Sequence, residues 1–218
     1  MKFKLNNIET DAFEGEKIIE VANRHNVEIP SLCYAAGYRH QSSCMVCVVK
    51  NLANDQIIPA CSTLVADGME IDTECDEVKV LRTMSLELLL SDHIAVCKPP
   101  CDVQKCKLRR YALAYRAKWN RYPRYSAIKA TQPQLIKGDT PLPGPPQKGG
   151  RKEGNRGDFW FDATKCIRCG LCVYNSNNGF TFKDRGFGMQ VILPEENADN
   201  VDISLVEICP TQALYFSG

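Results

Sequence analysis

The sequence carries almost no net charge: 27 Lys and Arg stand against 26 Asp and Glu, a formal +1 over 218 residues. No overall field therefore pulls the chain towards nucleic acid or an acidic partner. Long apolar runs are also missing. The hydrophobic 44% arrives in short pieces, the longest near Leu88–Leu90, well short of the roughly 20 residues that a membrane-spanning helix needs, so no direct membrane insertion is expected. The opening MKFKLNNIET has neither an apolar h-region nor a small-residue cleavage site, and the Arg109-Arg110 pair lies too deep for a twin-arginine signal. The expected location is the cytoplasm. A G-x-G-x-x-G turn, a P-loop and room for a Rossmann unit are absent as well, which excludes dinucleotide binding by those means and leaves no recognisable catalytic residue. Histidine is scarce, and His25 and His40 read as surface or packing residues.

What the chain has is cysteine, twelve in all. In a chain without an export signal such a count points to metal rather than disulfides. Cys33, Cys44, Cys47 and Cys61 are spaced C-x10-C-x2-C-x13-C. A tight pair closed by two distant thiols is the plan of a plant-type 2Fe-2S site with its first gap lengthened. Four thiolates also suit a structural zinc, but the flanks weigh against it. Upstream, EGEKIIEVANRHNVEIPSLC reads as a polar turn, a short helix at about 16–25 with Ile18, Ile19 and Ala22 on one face, and an Ile-Pro stop. Residues 2–12 alternate weakly and read as a hairpin, and IIPACSTLVADGMEI as a strand, a cysteine and a second hairpin. Together these make a small β-grasp pattern.

From about Asp76 the period becomes helical, with Val80, Leu81, Met84 and Leu88 at helical spacing. The helix leads to HIAVCKPPCDVQKC, in which His93, Cys97, Cys101 and Cys106 make a four-ligand set on a compact loop. KLRRYALAYRAKWNRYPRY follows, within a stretch that has no acidic residue between Asp102 and Asp139. Leu108, Tyr111, Tyr115 and Trp119 define its packing face. The region 105–129 is read as a docking or cluster-balancing surface, with RNA binding as the alternative. Residues 132–157 hold five prolines and six glycines and read as a linker. The last segment carries Cys166, Cys169 and Cys172 as C-x2-C-x2-C and a remote Cys209-Pro210. Ser176 occupies the place where a two-cluster ferredoxin has its fourth cysteine, so one 4Fe-4S cluster is expected here. FWFD and ALYF are expected to pair as outer strands. Cys75 alone joins no set.

With these three sets in this order, the chain resembles the small diaphorase subunit of NAD-reducing hydrogenases and the N-terminal three-cluster part of the large iron-sulfur subunit of respiratory complex I. Two residues depart from that family, Ser43 where Gly is usual and Met45 where Arg is usual, and the middle cysteine of the second set is moved by one residue. The resemblance implies a 4Fe-4S cluster on the second set with His93 as its one histidine ligand. A neutral imidazole in place of a thiolate makes such a cluster less negative and raises its potential. The implied fold is α+β: a β-grasp 2Fe-2S ferredoxin-type domain over 1–76, a helical 4Fe-4S domain over 77–131, the linker over 132–157, and a single-cluster ferredoxin-like 4Fe-4S domain over 158–218. The implied function is an electron-transfer subunit in a hetero-oligomer, relaying electrons between an NAD(P)H-oxidising flavoprotein and a catalytic oxidoreductase subunit such as a hydrogenase or formate dehydrogenase. Two alternatives are an iron-sulfur accessory subunit of another flavoenzyme, such as a glutamate-synthase-like reductase, and a zinc-binding RNA-interaction protein.

Overall fold

The computed structural model describes residues 1–93, 104–122, 147–148, 159–177, 179–194, 202 and 204–216. Strands β1 (Lys2–Leu5) and β2 (Ile8–Asp11) form the expected hairpin. Its turn is Asn6-Asn7, both at positive φ (51° and 65°), the left-handed pair that a two-residue hairpin demands and that Asn tolerates. Helix α1 (Ile18–Arg24) follows, opened by Glu20, which accepts the backbone N–H of Lys17 at 3.0 Å. Ile18, Ile19, Val21 and Ala22 are all buried against the sheet. Each large aliphatic among them is worth about 1.5–3 kcal/mol of burial.

The sheet is completed by β3 (Val48–Asn51), β4 (Gln56–Pro59) and β5 (Glu70–Asp72), in the order β2-β1-β5-β3-β4. The stretch after Cys61 is therefore not a hairpin. β5 leaves its sequence neighbour β4 and inserts between β1, to which it is parallel, and β3, to which it is antiparallel. This insertion lets β5 complete the hydrogen bonding of both neighbours, and it buries Ile71 in the core with Phe3 and Leu5.

Helix α2 (Asp76–Asp92) begins with Asp76 and Glu77 at its positive end. The helix is as the period predicts, but its buried stripe is not made of the residues that mark that period. Val80 and Leu88 are exposed, Leu81 and Met84 only half-buried, and the inward face is Val78, Arg82, Leu86 and Leu90. The buried arginine breaks the apolar pattern while keeping the helical period. Arg82 donates from Nε and Nη2 to the Val48 carbonyl (3.1 and 2.8 Å) and from Nη1 to the Tyr115 hydroxyl (2.9 Å).

Helix α3 (Lys107–Ala114) packs on α2 through Leu108, Tyr111 and Ala112. It stops before Trp119, because Arg116 turns left-handed at φ 52° and its N–H bonds back to the Leu113 carbonyl. Trp119 lies beyond the helix, 43% exposed, with its ring centroid 6.4 Å from that of His93. Glu87, buried on α2, accepts from the Lys118 N–H and from Arg121 Nη1, both at 3.0 Å, and ties down this segment.

In the last segment β7 (Phe159–Phe161) pairs antiparallel with β10 (Leu214–Phe216), as FWFD and ALYF were expected to. Within the expected linker, β6 (Gln147–Lys148) adds to the free edge of β7; the rest of 132–157 lies outside the described residues. A second hairpin joins β8 (Thr181–Lys183) to β9 (Gln190–Ile192), and short helices α4 (Leu171–Asn175) and α5 (Ser204–Ile208) complete the lobe. Phe159, Phe161, Phe180 and Phe216 meet edge to face at 5.3–6.4 Å and fill its core. Among the described residues no helix is long and apolar enough to cross a membrane.

Candidate metal centres

The first cysteine set assembles from three places. Cys33 follows α1, Cys44 and Cys47 lie on the loop entering β3, and Cys61 follows β4. All four are buried, Cys33 and Cys61 completely. The sulfurs meet in hydrogen-bonded pairs. The Cys33 thiol is held well below its ordinary pKa because Cys44 and Cys61 donate to it, and Cys47 is lowered chiefly because Cys61 donates to it. The two donors are correspondingly raised. Backbone N–H groups add to this: the Cys44 amide points at the Cys33 sulfur at 3.5 Å, a kind of donor that tunes potential where a sulfur binds a cluster. Four buried sulfurs brought together from three segments are a donor set that fits a 2Fe-2S cluster. Among the described residues no group of three or more His, Cys, Asp or Glu forms a ready single-ion site.

The loop pays for this convergence in backbone strain, though not at Ser43, where Gly was expected. The left-handed residues are Ser42 (φ 56°) and Met45 (φ 54°), each at a cost of roughly 1–2 kcal/mol for a residue with a Cβ. Two side chains missed from the sequence also touch the site. His40 Nε2 lies 2.8 Å from the Cys61 carbonyl with its ring edge-on to Tyr34, and Ser42 Oγ lies 3.3 Å from the Cys61 sulfur.

Of the second set, His93 and Cys106 are described, and Cys97 and Cys101 lie outside the described residues. His93 is buried at the C-terminus of α2, and Cys106 is buried at the N-terminus of α3. Cys75 caps the other end of α2, half-exposed.

The third set lines one cavity of about 350 Å³, open mouth included: Cys166, Cys169, Cys172 and Cys209 with Ile167, Leu171, Leu205 and Ile208. Burial pushes the Cys166 thiol up to about 12 and raises Cys169 and Cys172 as well. An apolar wall that disfavours bare thiolates needs a cation to compensate them, and this chemistry fits a 4Fe-4S cluster. Gly170 makes the turn between Cys169 and Cys172 at φ 79°, and a Cβ there would stand 2.8 Å from Tyr174 Cε2. Gly170→Ala is expected to cost about 1–2 kcal/mol, read as a lowered melting temperature of the anaerobically purified protein.

The first and third sets share a boundary. Ile167 and Cys169 pack with Cys33, Cys44 and Leu86, and Asn175 on α4 exchanges hydrogen bonds with the Arg39 backbone (2.9 and 2.8 Å) beside a Gln41–Tyr174 contact.

Residues 1–75 match the family described as 2Fe-2S iron-sulfur cluster binding domain. Over 231 residues the chain is 26% identical to the NADH-ubiquinone oxidoreductase 75 kDa subunit of Dictyostelium discoideum, covering 98% of this chain and 30% of that one. Over 225 residues it is 30% identical to the NADP-reducing hydrogenase subunit HndD of Solidesulfovibrio fructosivorans, covering 94% and 34%. It thus spans about a third of the length of these curated relatives. Its fold matches a chain of an NAD+-reducing [NiFe]-hydrogenase in the H2-reduced state with a TM-score of 0.75 at 20% identity, over 100% of this chain and 87% of that one. The chain is thus similar, over nearly its whole length, to about a third of the G and 75 kDa subunits of NADH-linked quinone oxidoreductases and of an NADP-reducing hydrogenase subunit, and its residues 1–75 match the 2Fe-2S iron-sulfur cluster binding domain.

Proposed function

We propose that this chain is an electron-relay subunit with three iron-sulfur sites: a 2Fe-2S cluster on Cys33, Cys44, Cys47 and Cys61, a 4Fe-4S cluster on His93, Cys97, Cys101 and Cys106, and a second 4Fe-4S cluster on Cys166, Cys169, Cys172 and Cys209. The observation that carries this reading is the convergence of the first four sulfurs from segments 28 residues apart, buried, paired and fed by backbone N–H groups. Bound clusters would supply one-electron carriers. The protein's part is to hold them in apolar walls, to aim N–H donors at sulfur, and to keep the first and third sites in one packed boundary. NAD(P)H gives up its electrons as a hydride, so a flavoprotein partner must divide the pair before this chain receives them. A catalytic oxidoreductase subunit then takes them up. The β-grasp, helical and ferredoxin-like division of the chain, with boundaries near 76, 131 and 157, belongs to this reading, as do a cytoplasmic location and a hetero-oligomeric state.

Arg110, one of the cations assigned to a docking surface, pairs with Glu28 at 2.9 Å and lies over the Tyr111 ring. Arg109 is thus the better cation for that role. The test of the reading is metal content: anaerobically purified chain should hold about ten irons, two in the first site and four in each of the others. A stoichiometric complement of zinc, or about six irons, would remove at least one site.

A further inference from the structure

Arg82 is one of the largest fully buried side chains in the protein, at 0% exposure. Its guanidinium donates to neutral acceptors, the Val48 carbonyl and the Tyr115 hydroxyl, and among the described residues no carboxylate pairs with it. The nearest buried acid on the same helix, Glu87, is taken by Arg121 and the Lys118 amide. A buried cation without a carboxylate is costly unless some other negative charge answers it. The first cysteine set adjoins this contact in the chain. Val48 directly follows Cys47, so the guanidinium bonds the carbonyl of the residue next to that cysteine. One turn along α2, the Ser85 hydroxyl donates to the Met45 carbonyl at 3.3 Å, and Leu86 and Leu90 pack with Cys33 and Cys44. α2 thus presses one face onto the loop between Cys44 and Val48 and delivers a positive charge there. The loop itself supplies none, since Met45 is neutral.

We infer that Arg82 is a positioning residue for the first cluster, the buried cation that compensates its thiolates and favours its reduced form. The inference rests on the reading of Cys33, Cys44, Cys47 and Cys61 as a 2Fe-2S site. Four thiolates, two ferric ions and two sulfides leave a net dianion, and one electron taken from the flavoprotein donor makes it a trianion. A fixed cation nearby stabilises the trianion more than the dianion and so raises the potential. Because the guanidinium is buried, salt screens this little.

The experiment is an EPR-monitored redox titration of the 2Fe-2S signal in the whole chain, comparing wild type with Arg82→Met, Arg82→Lys and Tyr115→Phe. In Arg82→Met the ratio of reduced to oxidised cluster at fixed poise is expected to fall about tenfold, which is about 59 mV for a one-electron couple. Arg82→Lys, which keeps the charge, should restore most of the ratio. Tyr115→Phe, which loosens the site but keeps the cation, should stay within about twofold of wild type, since one neutral hydrogen bond is small beside a unit charge. An intact signal in Arg82→Met at the wild-type potential overturns the inference. If Arg82→Met does not fold, the other two variants decide. A tenfold fall in Tyr115→Phe or Arg82→Lys would assign the potential to packing rather than charge and would equally overturn it, while near wild-type ratios in both support it. A wild-type chain with no 2Fe-2S signal would instead defeat the site assignment itself.

Discussion

NADH added to the purified chain, in a preparation free of flavin, is expected to leave its visible absorption unchanged over minutes, and addition of the flavoprotein partner should then bleach it. The expected contrast in rate is about a hundredfold or more, because NADH gives up a hydride that one-electron carriers take up only after a flavin has divided the pair. The sequence offers no Rossmann turn and no P-loop, and the largest described sheet has its helix-bearing face filled by α1. Dithionite, a one-electron reductant, serves as the control and should reduce the chain in either preparation. Rapid bleaching by NADH alone would defeat the relay reading and require a nucleotide site of another design.

A second large effect is expected from the remote cysteine of the last lobe. Cys209 reaches its partners only through α5 and the turn at Pro210, and the Pro210 carbonyl accepts the Lys107 N–H at 2.8 Å. Cys209→Ser should lower iron from about ten to about six per chain while leaving the 2Fe-2S EPR signal intact, because the first set draws no ligand from this lobe. Cys47→Ser should do the reverse, removing about two irons and that signal. Loss of all three clusters in either variant would show that the lobes do not load independently.

Candidate ligand sets could be proposed from spacing, and much of the packing could not. Cysteine intervals name possible ligand sets directly, and the aromatic runs FWF and LYF announced a strand pair that the structure contains. Two details of α2 and α3 lay outside the pattern. Apolar periodicity passes over a buried arginine, so Val80, Leu81, Met84 and Leu88 mark the helix while its buried stripe is Val78, Arg82, Leu86 and Leu90. A charged residue four positions from two apolar ones was the available signal. On α3 the period continued to Trp119 although the backbone did not, because Arg116 takes a left-handed turn that no helical pattern reveals. The parallel pairing of β5 with β1 joins residues more than 60 positions apart, beyond the reach of any local rule. Ser42 and Met45 carry the loop strain where the motif drew attention to Ser43, since the backbone path around four sulfurs is set by convergence in space and not by the residue type alone.

The hydrogen bonds between Asn175 and Arg39 close a circuit of 136 residues. The ten residues between Cys33 and Cys44 are thus a strap: one end is held in the first lobe, and the middle is buckled to the helix that carries Cys172. The entropy of closing so large a circuit grows only slowly with its length, so the intervening segment can vary in size without loosening the buckle. The consequence is mechanical. A movement that parts the two lobes must first break these bonds, so the strap restrains the distance between the two end sites.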